Sequence, residues 1–151
     1  MADVGSWDVK TSTSALDDSQ TVILRQVADR KVTDKFGNGD YPVMIIRCLE
    51  NTTSIYIVAG GHFLSDHQGY GLVEYRLDQG AKRQIEMKAS TDNTALGLWR
   101  GRSAIPFLKS LFDKEIIVMR ITPLSKAPAE FSFDIGGLSE AIVPLRNSCN
   151  W

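Results

Sequence analysis

The sequence predicts a mainly β protein, an antiparallel β-sandwich or flattened barrel with two short helices. Apolar and polar residues alternate with a period of two along seven or eight short segments, which is typical of half-buried strands. Turn residues separate these segments, and no regular succession of strand and helix indicates a parallel sheet. The 151 residues contain no linker long enough to divide two cores, so we expect a single domain over residues 1–151.

The first half of the sequence predicts two strands and then a hairpin. The stretch SWDVKTST places Trp7, Val9 and Thr11 on one face, and SQTVILRQVAD favours a strand through its β-branched residues. The loop DKFGNGDYP follows, rich in glycine and proline. VMIIRC and IYIVAG then flank a turn from Asn51 to Ser54 and predict a hairpin with Cys48 in its first arm.

The second half predicts two more strand pairs. GLVEYRLD and KRQIEMKA flank the short turn QGA, which indicates a hairpin. EIIVMRIT and AEFSFDI are separated by the loop PLSKAPA. These segments complete the strand content of the predicted sandwich.

Two short segments have helical spacing instead. We expect Ser103 to cap a helix through AIPFLKSLF, with Pro106 in its first turn. Its apolar positions fall on one face: Ile105, Leu108, Leu111 and Phe112.

The second predicted helix lies in GGLSEAIVPLRNS and starts at Ser139 or the glycines before it. Leu138, Ile142 and Leu145 are expected to face inward, and Pro144 to shorten or kink the helix.

Charge and composition exclude several classes of protein. Seventeen Lys and Arg are scattered among eighteen Asp and Glu, so the basic footprint of a nucleic-acid-binding protein is lacking. No apolar run is long enough to span a bilayer, so we expect no membrane insertion of the mature chain. The first residues do not have the pattern of a signal peptide; the start MADVGSW fits a mature chain that opens with Ala2 and Asp3, and a plain cytosolic N-terminus fits equally well. Glycines lack the spacing of phosphate-binding loops, and we expect no cofactor.

Cys48 and Cys149 are the only cysteines, and the residues alone leave two interpretations open. If they pair, they close a loop of about 100 residues and indicate an oxidising compartment. If they do not, Cys48 is a small buried apolar residue of a strand and Cys149 is a free thiol.

The loop GGHFLSDHQGYG contains both histidines of the sequence, His62 and His67, with Asp66 between them. Imidazole and carboxylate groups can bind a metal or transfer protons. The spacing matches no known zinc motif, and solvated loop residues are the simpler interpretation. A metal site or an acid/base site here is the alternative hypothesis.

A polar surface is the second candidate site. YRLD directs two charged side chains to one face of a strand, ASTDN follows the partner strand, and LWRGRS adds residue types that often anchor contacts. A solvated ladder of charges would give the same pattern. The candidate binding residues are Arg76, Asp78, Ser90, Asp92, Trp99 and Arg100.

Several segments together resemble the VasI/EvfG/TagO-type family of type VI secretion-associated proteins, over nearly the whole length. The marks are the pair Arg47 and Cys48, Y-R-L-D from Tyr75, S-T-D from Ser90, F-D-I-G-G-L from Phe133, and the closing C-N-W. One departure is Met87, in a region where many members carry a tryptophan.

The resemblance implies an exported bacterial protein, periplasmic or secreted, that is made with a signal peptide. It implies a disulfide between Cys48 and Cys149 and no established enzyme activity. We therefore expect a non-enzymatic accessory protein of the cell envelope that contacts another protein or an envelope component. The alternative is an envelope-acting hydrolase or metal-dependent protein that uses His62, Asp66 and His67.

Overall fold

The computed structural model describes residues 5–151, and most of their strands lie in two antiparallel sheets. The expected mature start at Ala2 and Asp3 lies outside the described residues. The larger sheet contains, in order across it, β1 (Asp8–Thr13), β2 (Gln20–Val27), β5 (Val43–Leu49), β6 (Thr52–Val58), β10 (Ala95–Leu98) and β9 (Lys88–Ala89).

The smaller sheet has four strands, and a two-stranded ribbon lies apart from both sheets. The order across the smaller sheet is β12 (Ala129–Asp134), β11 (Ile116–Ile121), β7 (Leu72–Leu77) and β8 (Arg83–Glu86). The ribbon consists of β3 (Val32–Thr33) and β4 (Gly39–Asp40). The two separate antiparallel sheets confirm the predicted sandwich. The alternative of a flattened barrel is not formed, because the sheets stay open at their edges.

The core lies between the two sheets, as the period-two pattern predicts. Met44 and Ile46 of β5 are buried on the inner face of the larger sheet, and Val73 and Tyr75 of β7 are buried on that of the smaller one. The intervening residues of each strand face outward and are more exposed. The buried apolar side chains of residues 5–151 form a continuous cluster.

Two features join the sheets at their margins. Gln26 Nε2 donates to the Asp134 carbonyl at 2.8 Å, and Asp29 Oδ1 accepts from Ser132 N at 2.7 Å. Asp29 N also donates to the Ser132 carbonyl at 3.0 Å, so the chain after β2 covers the edge of β12. Elsewhere the chain crosses from β8 to β9 through Met87, which is fully buried.

The β5–β6 hairpin closes through a two-residue turn. Glu50 and Asn51 have φ values of 50° and 59°, the left-handed conformation that a type I′ turn requires at both central residues. Leu49 pairs with Thr52 across this turn, which fixes the register of β5 and β6. The predicted turn from Asn51 to Ser54 is wrong, because Thr52 to Ser54 belong to β6.

The first helix, α1 (Gly101–Ser110), begins earlier than the sequence indicates. Arg100 is its N-cap residue, and the predicted cap at Ser103 is wrong because that hydroxyl donates to the Arg100 carbonyl from within the first turn. Pro106 accordingly lies inside the helix and not in its first turn. Phe107 is buried and packs edge-on against Tyr75 of β7, so α1 closes one end of the core.

The second predicted helix is divided in two, α2 (Leu138–Ala141) and α3 (Val143–Cys149). Pro144 stands at the start of α3, where its missing N–H leaves no hydrogen bond unmade. Leu138, Ile142 and Leu145 are all buried, as predicted. Within residues 5–151, none of the helices combines the length and the apolar character that crossing a membrane requires.

Candidate binding surface

Cys48 and Cys149 form a disulfide, with their Cα atoms 5.9 Å apart. Cys48 lies on the inner face of β5, Cys149 lies at the end of α3, and both are buried. The bond therefore ties the centre of the larger sheet to the helix packed on it. The pairing that the resemblance implies is confirmed, and the free-thiol interpretation is wrong.

Trp151 packs beside this disulfide and is half-buried against the core. Its indole Nε1 donates to Thr53 Oγ1 at 2.8 Å, and Thr53 pairs with Cys48 across β5 and β6. The Arg146 guanidinium carbon lies 4.8 Å from the centre of the indole ring, and Arg146 Nε donates to the Trp151 carbonyl. The last residues of the sequence are thus fixed by side-chain contacts as well as by the covalent bond.

Arg76 and Asp78 lie on the smaller sheet and serve local structure there. Arg76 Nε donates to the Gly80 carbonyl at 2.7 Å. Asp78 Oδ1 accepts from the backbone N–H groups of Ile116 and Glu115, both at 2.9 Å. These two donors lower the pKa of the Asp78 carboxyl below its ordinary value. Asp78 therefore holds the start of β11 against the end of β7.

The outer face of the smaller sheet carries charges that compensate each other. Lys82 Nζ lies 2.7 Å from Glu74 Oε2, and Arg120 contacts Glu74 at 3.4 Å and Glu130 at 3.1 Å. The Lys82 ammonium lowers the pKa of Glu74, and Glu130 raises the pKa of Arg120. This face is a solvated ladder of the kind that the sequence also allows.

Ser90 and Asp92 form a compact turn between β9 and β10. Ser90 Oγ donates to Asp92 Oδ1 at 2.7 Å and accepts from Ala95 N at 3.0 Å. Asp92 Oδ1 also accepts from the hydroxyl of Thr94 at 2.7 Å, and the two hydroxyls lower the pKa of the Asp92 carboxyl. The S-T-D motif thus stabilises its own turn.

Trp99 and Arg100 follow β10. The Trp99 ring stacks on Tyr56 with centroids 4.8 Å apart and planes 20° apart, and its Nε1 donates to the Lys88 carbonyl at 2.8 Å. Arg100 is exposed, and its carbonyl accepts the first hydrogen bond of α1 from Ala104 N. Trp99 is therefore a fixed, half-exposed aromatic residue.

The six predicted binding residues do not share one surface. Arg76 and Asp78 belong to the smaller sheet, while Ser90, Asp92, Trp99 and Arg100 lie around the β9–β10 end of the larger sheet. Their role in binding stays a prediction. The aromatic contact of Trp99 lies on the larger sheet.

We use the term outer face for the side of the larger sheet that points away from the core. Strand register and burial place apolar side chains there that are only half-buried, beside basic ones. Its members include Ile23, Arg25, Val43, Ile45, Arg47, Ser54, Tyr56, Val58, Lys88 and Trp99.

Arg47 and Tyr56 were not predicted as binding residues. The Arg47 guanidinium carbon lies 5.4 Å from the Tyr56 ring centre, so Arg47, Tyr56 and Trp99 form a continuous stack. One feature of the sequence could have indicated that Arg47 and Tyr56 share a face. A two-residue turn after Leu49 places Tyr56 opposite Ile45 and on the same face as Arg47. The contact with Trp99 joins residues 43 positions apart, and no local pattern indicates it.

His62, Asp66 and His67 make separate local contacts. His62 Nε2 donates to the Val32 carbonyl at 2.9 Å, beside the ribbon. Asp66 Oδ2 accepts from Ala89 N at 2.9 Å, and the exposed His67 lies 4.0 Å from the other Asp66 oxygen. Within the described residues 5–151, no three His, Cys, Asp or Glu side chains are grouped so as to hold a metal ion.

Comparisons with known proteins place the chain in a family. No curated protein matches it. Its fold is similar to the crystal structure of invasion associated protein B from Bartonella henselae, with a TM-score of 0.60 and 11% identity over 99% of this chain and 97% of that one. At this identity the likeness concerns the fold alone. The family described as type VI secretion system VasI, EvfG matches residues 5–151. The chain therefore belongs to the VasI family of type VI secretion proteins, as its sequence motifs predict.

Proposed function

We propose that this type VI secretion-associated protein is a non-enzymatic accessory protein that works by contact with another protein, through the outer face of its larger sheet. The observation that carries the proposal is the stack of Arg47, Tyr56 and Trp99 on that face. Trp, Tyr and Arg are the residues that most often supply the energy of a protein interface. Here all three stand next to one another on a rigid sheet.

The polar candidates support a binding role over a catalytic one. The oxygens of Asp78 and Asp92 accept hydrogen bonds within the protein's own turns, and Asp66 accepts from the backbone of β9. Catalytic carboxylates instead need to converge on a common point near a reacting atom. These contacts support structural roles for the three carboxylates.

The disulfide supports a location outside the cytoplasm, in the periplasm or beyond it. Disulfides persist in oxidising compartments and are rare where thiols are kept reduced. The bond between Cys48 and Cys149 is buried at the junction of sheet and helix, where it is part of the core. The protein acts, on this proposal, in the envelope or at the cell exterior.

Complementation of a deletion strain tests this function. We expect Trp99→Ala and Tyr56→Ala to reduce the release of type VI substrates into the medium, with the protein still present at the wild-type level. Arg83→Ala, at an exposed position of β8 in the smaller sheet, is the matched control and is expected to complement fully. Complementation by all three variants would refute a role for the stack.

A further inference from the structure

The composition of the outer face is unusual for a solvated side of a sheet. Ile23, Ile45 and Tyr56 occupy the centres of three adjacent strands and are half-buried, with no helix or strand of residues 5–151 assigned over them. Val27 and Leu49 extend the apolar area at the strand ends, with 48% and 38% of their surface exposed. A partly exposed apolar patch of this kind is a common feature of interaction sites.

Three basic residues of this face, Arg25, Arg47 and Lys88, form no salt bridge within the described residues. Across residues 5–151, no carboxylate oxygen lies within 4.0 Å of their side-chain nitrogens. The acidic member of the face is Asp8 at its edge, which stands opposite Arg25 across β1 and β2 and pairs with Lys10 at 3.9 Å. The face therefore has a net positive charge, unlike the outer face of the smaller sheet.

The stack is held in place before any partner arrives. Gly97 lies opposite Tyr56, and a Cβ at this position would meet the Ile55 carbonyl oxygen and lie 2.5 Å from the Tyr56 Cβ, so glycine lets β10 approach β6 at the stack. The hydrogen bond from Trp99 to the Lys88 carbonyl fixes the indole. Arg47 Nε and Ser54 Oγ are buried without a hydrogen-bond partner in the described part of the chain, although they stand opposite each other across two strands.

We propose that the outer face binds an acidic segment of a partner protein, with the stack of Arg47, Tyr56 and Trp99 at its centre. The inference rests on the proposed function and adds the charge of the partner. Carboxylates satisfy unpaired arginine and lysine groups, and apolar residues between them cover Ile23 and Ile45. An anionic membrane offers the same charge, but half-buried side chains provide no protruding anchor for a bilayer.

Binding probes of opposite charge test the inference with the intact, oxidised protein. The probes are a labelled peptide of alternating glutamate and leucine, the corresponding lysine–leucine peptide, and phosphatidylglycerol vesicles. We expect the acidic peptide to bind and to perturb the indole N–H signal of Trp99, with an affinity that falls as salt rises. Binding of the lysine peptide with equal affinity would overturn the inference, and so would binding of the vesicles in preference to the acidic peptide.

Charge reversal on the outer face supplies the matched variants. Arg47→Glu is expected to weaken binding of the acidic peptide by roughly tenfold or more, and Arg25→Glu by a smaller factor. Arg25 is exposed, so its replacement leaves packing intact if Arg47→Glu disturbs the fold. Arg83→Glu, at an exposed position of β8, changes the net charge equally on the other sheet and is expected to leave binding unchanged. Equal effects of Arg25→Glu and Arg83→Glu would show a general charge effect and refute the site.

The two proposals fail in different ways. If the acidic peptide does not bind while Trp99→Ala still abolishes secretion, the acidic partner is wrong and the binding function stands. If Trp99→Ala secretes normally, the function assigned to the outer face is wrong as well.

Discussion

Removal of the disulfide is expected to cost the protein a large part of its stability. Cys48 and Cys149 are separated by 101 positions, so the bond closes most of the sequence into one loop. The chain-entropy relation gives about 4.7 kcal/mol at 25 °C for a loop of about 100 residues. Typical domains have an unfolding free energy of roughly 5 to 15 kcal/mol, so this contribution is between about a third and nearly all of it.

The assay is urea unfolding of the oxidised wild type and of the Cys48→Ala/Cys149→Ala variant, followed by tryptophan fluorescence and circular dichroism. We expect the free energy of unfolding of the variant to be lower by about 4 to 5 kcal/mol and its melting temperature to be lower by roughly 10 to 20 °C. We also expect a steeper dependence on urea, because the unfolded chain without the bond exposes more surface.

Reduced wild type is the control, since it lacks the bond but retains both side chains. Its free energy of unfolding is expected to match that of the double variant to within about 1 kcal/mol, which is the cost of removing two buried sulfur atoms. A loss below about 1 kcal/mol in both samples would refute the reasoning. It would mean that the unfolded protein is already compact enough for the bond to remove little entropy.

Three further substitutions test single contacts. Gly97→Ala should lower the free energy of unfolding in urea by about 1 to 3 kcal/mol, because the added methyl group meets the Tyr56 Cβ. An unchanged urea midpoint would show that β10 can move away from β6 at little cost. Asp78→Ala should lower the urea midpoint near neutral pH. The pKa of this carboxyl is lowered in the folded state, so its contribution is present above the unfolded value of 3.8 and is lost as the pH falls through the folded pKa. The gap between variant and wild type should therefore narrow in acid, and a constant gap would contradict the assignment. Trp151→Phe removes the donor to Thr53 and should cost about 1 kcal/mol, measured against a Thr53→Val variant that removes the acceptor of the same bond.

The hairpins were predictable because their signals are local. The apolar runs VMIIRC and IYIVAG, separated by turn residues, indicate both strands and their pairing, although the turn lies at Glu50 and Asn51 and not from Asn51 to Ser54. The disulfide was not derivable from the residues, which left pairing and free thiols open, and it entered through the resemblance to a family. The packing of α3 on β5 brings the two cysteines together, and this packing depends on the whole topology.

Helix boundaries and the candidate surface were harder to predict for the same reason. Ser103 has the chemistry of a cap, but the helix starts at Gly101 because β10 ends just before it and leaves the Arg100 carbonyl free to accept. Arg47 lies in a strand with apolar residues on both faces, so alternation alone does not show which face is covered. The stack with Tyr56 and Trp99 appears only once the order of the strands is known.

The joining of the two sheets at opposite margins has a mechanical consequence. Met87 carries the chain from one sheet to the other, and the hydrogen bonds between Asp29 and Ser132 fasten the sheets on the side of β2 and β12. The layers are therefore prevented from sliding or peeling apart one at a time. A force applied to the outer face would therefore be carried by both sheets, and the sandwich would unfold in a single cooperative step.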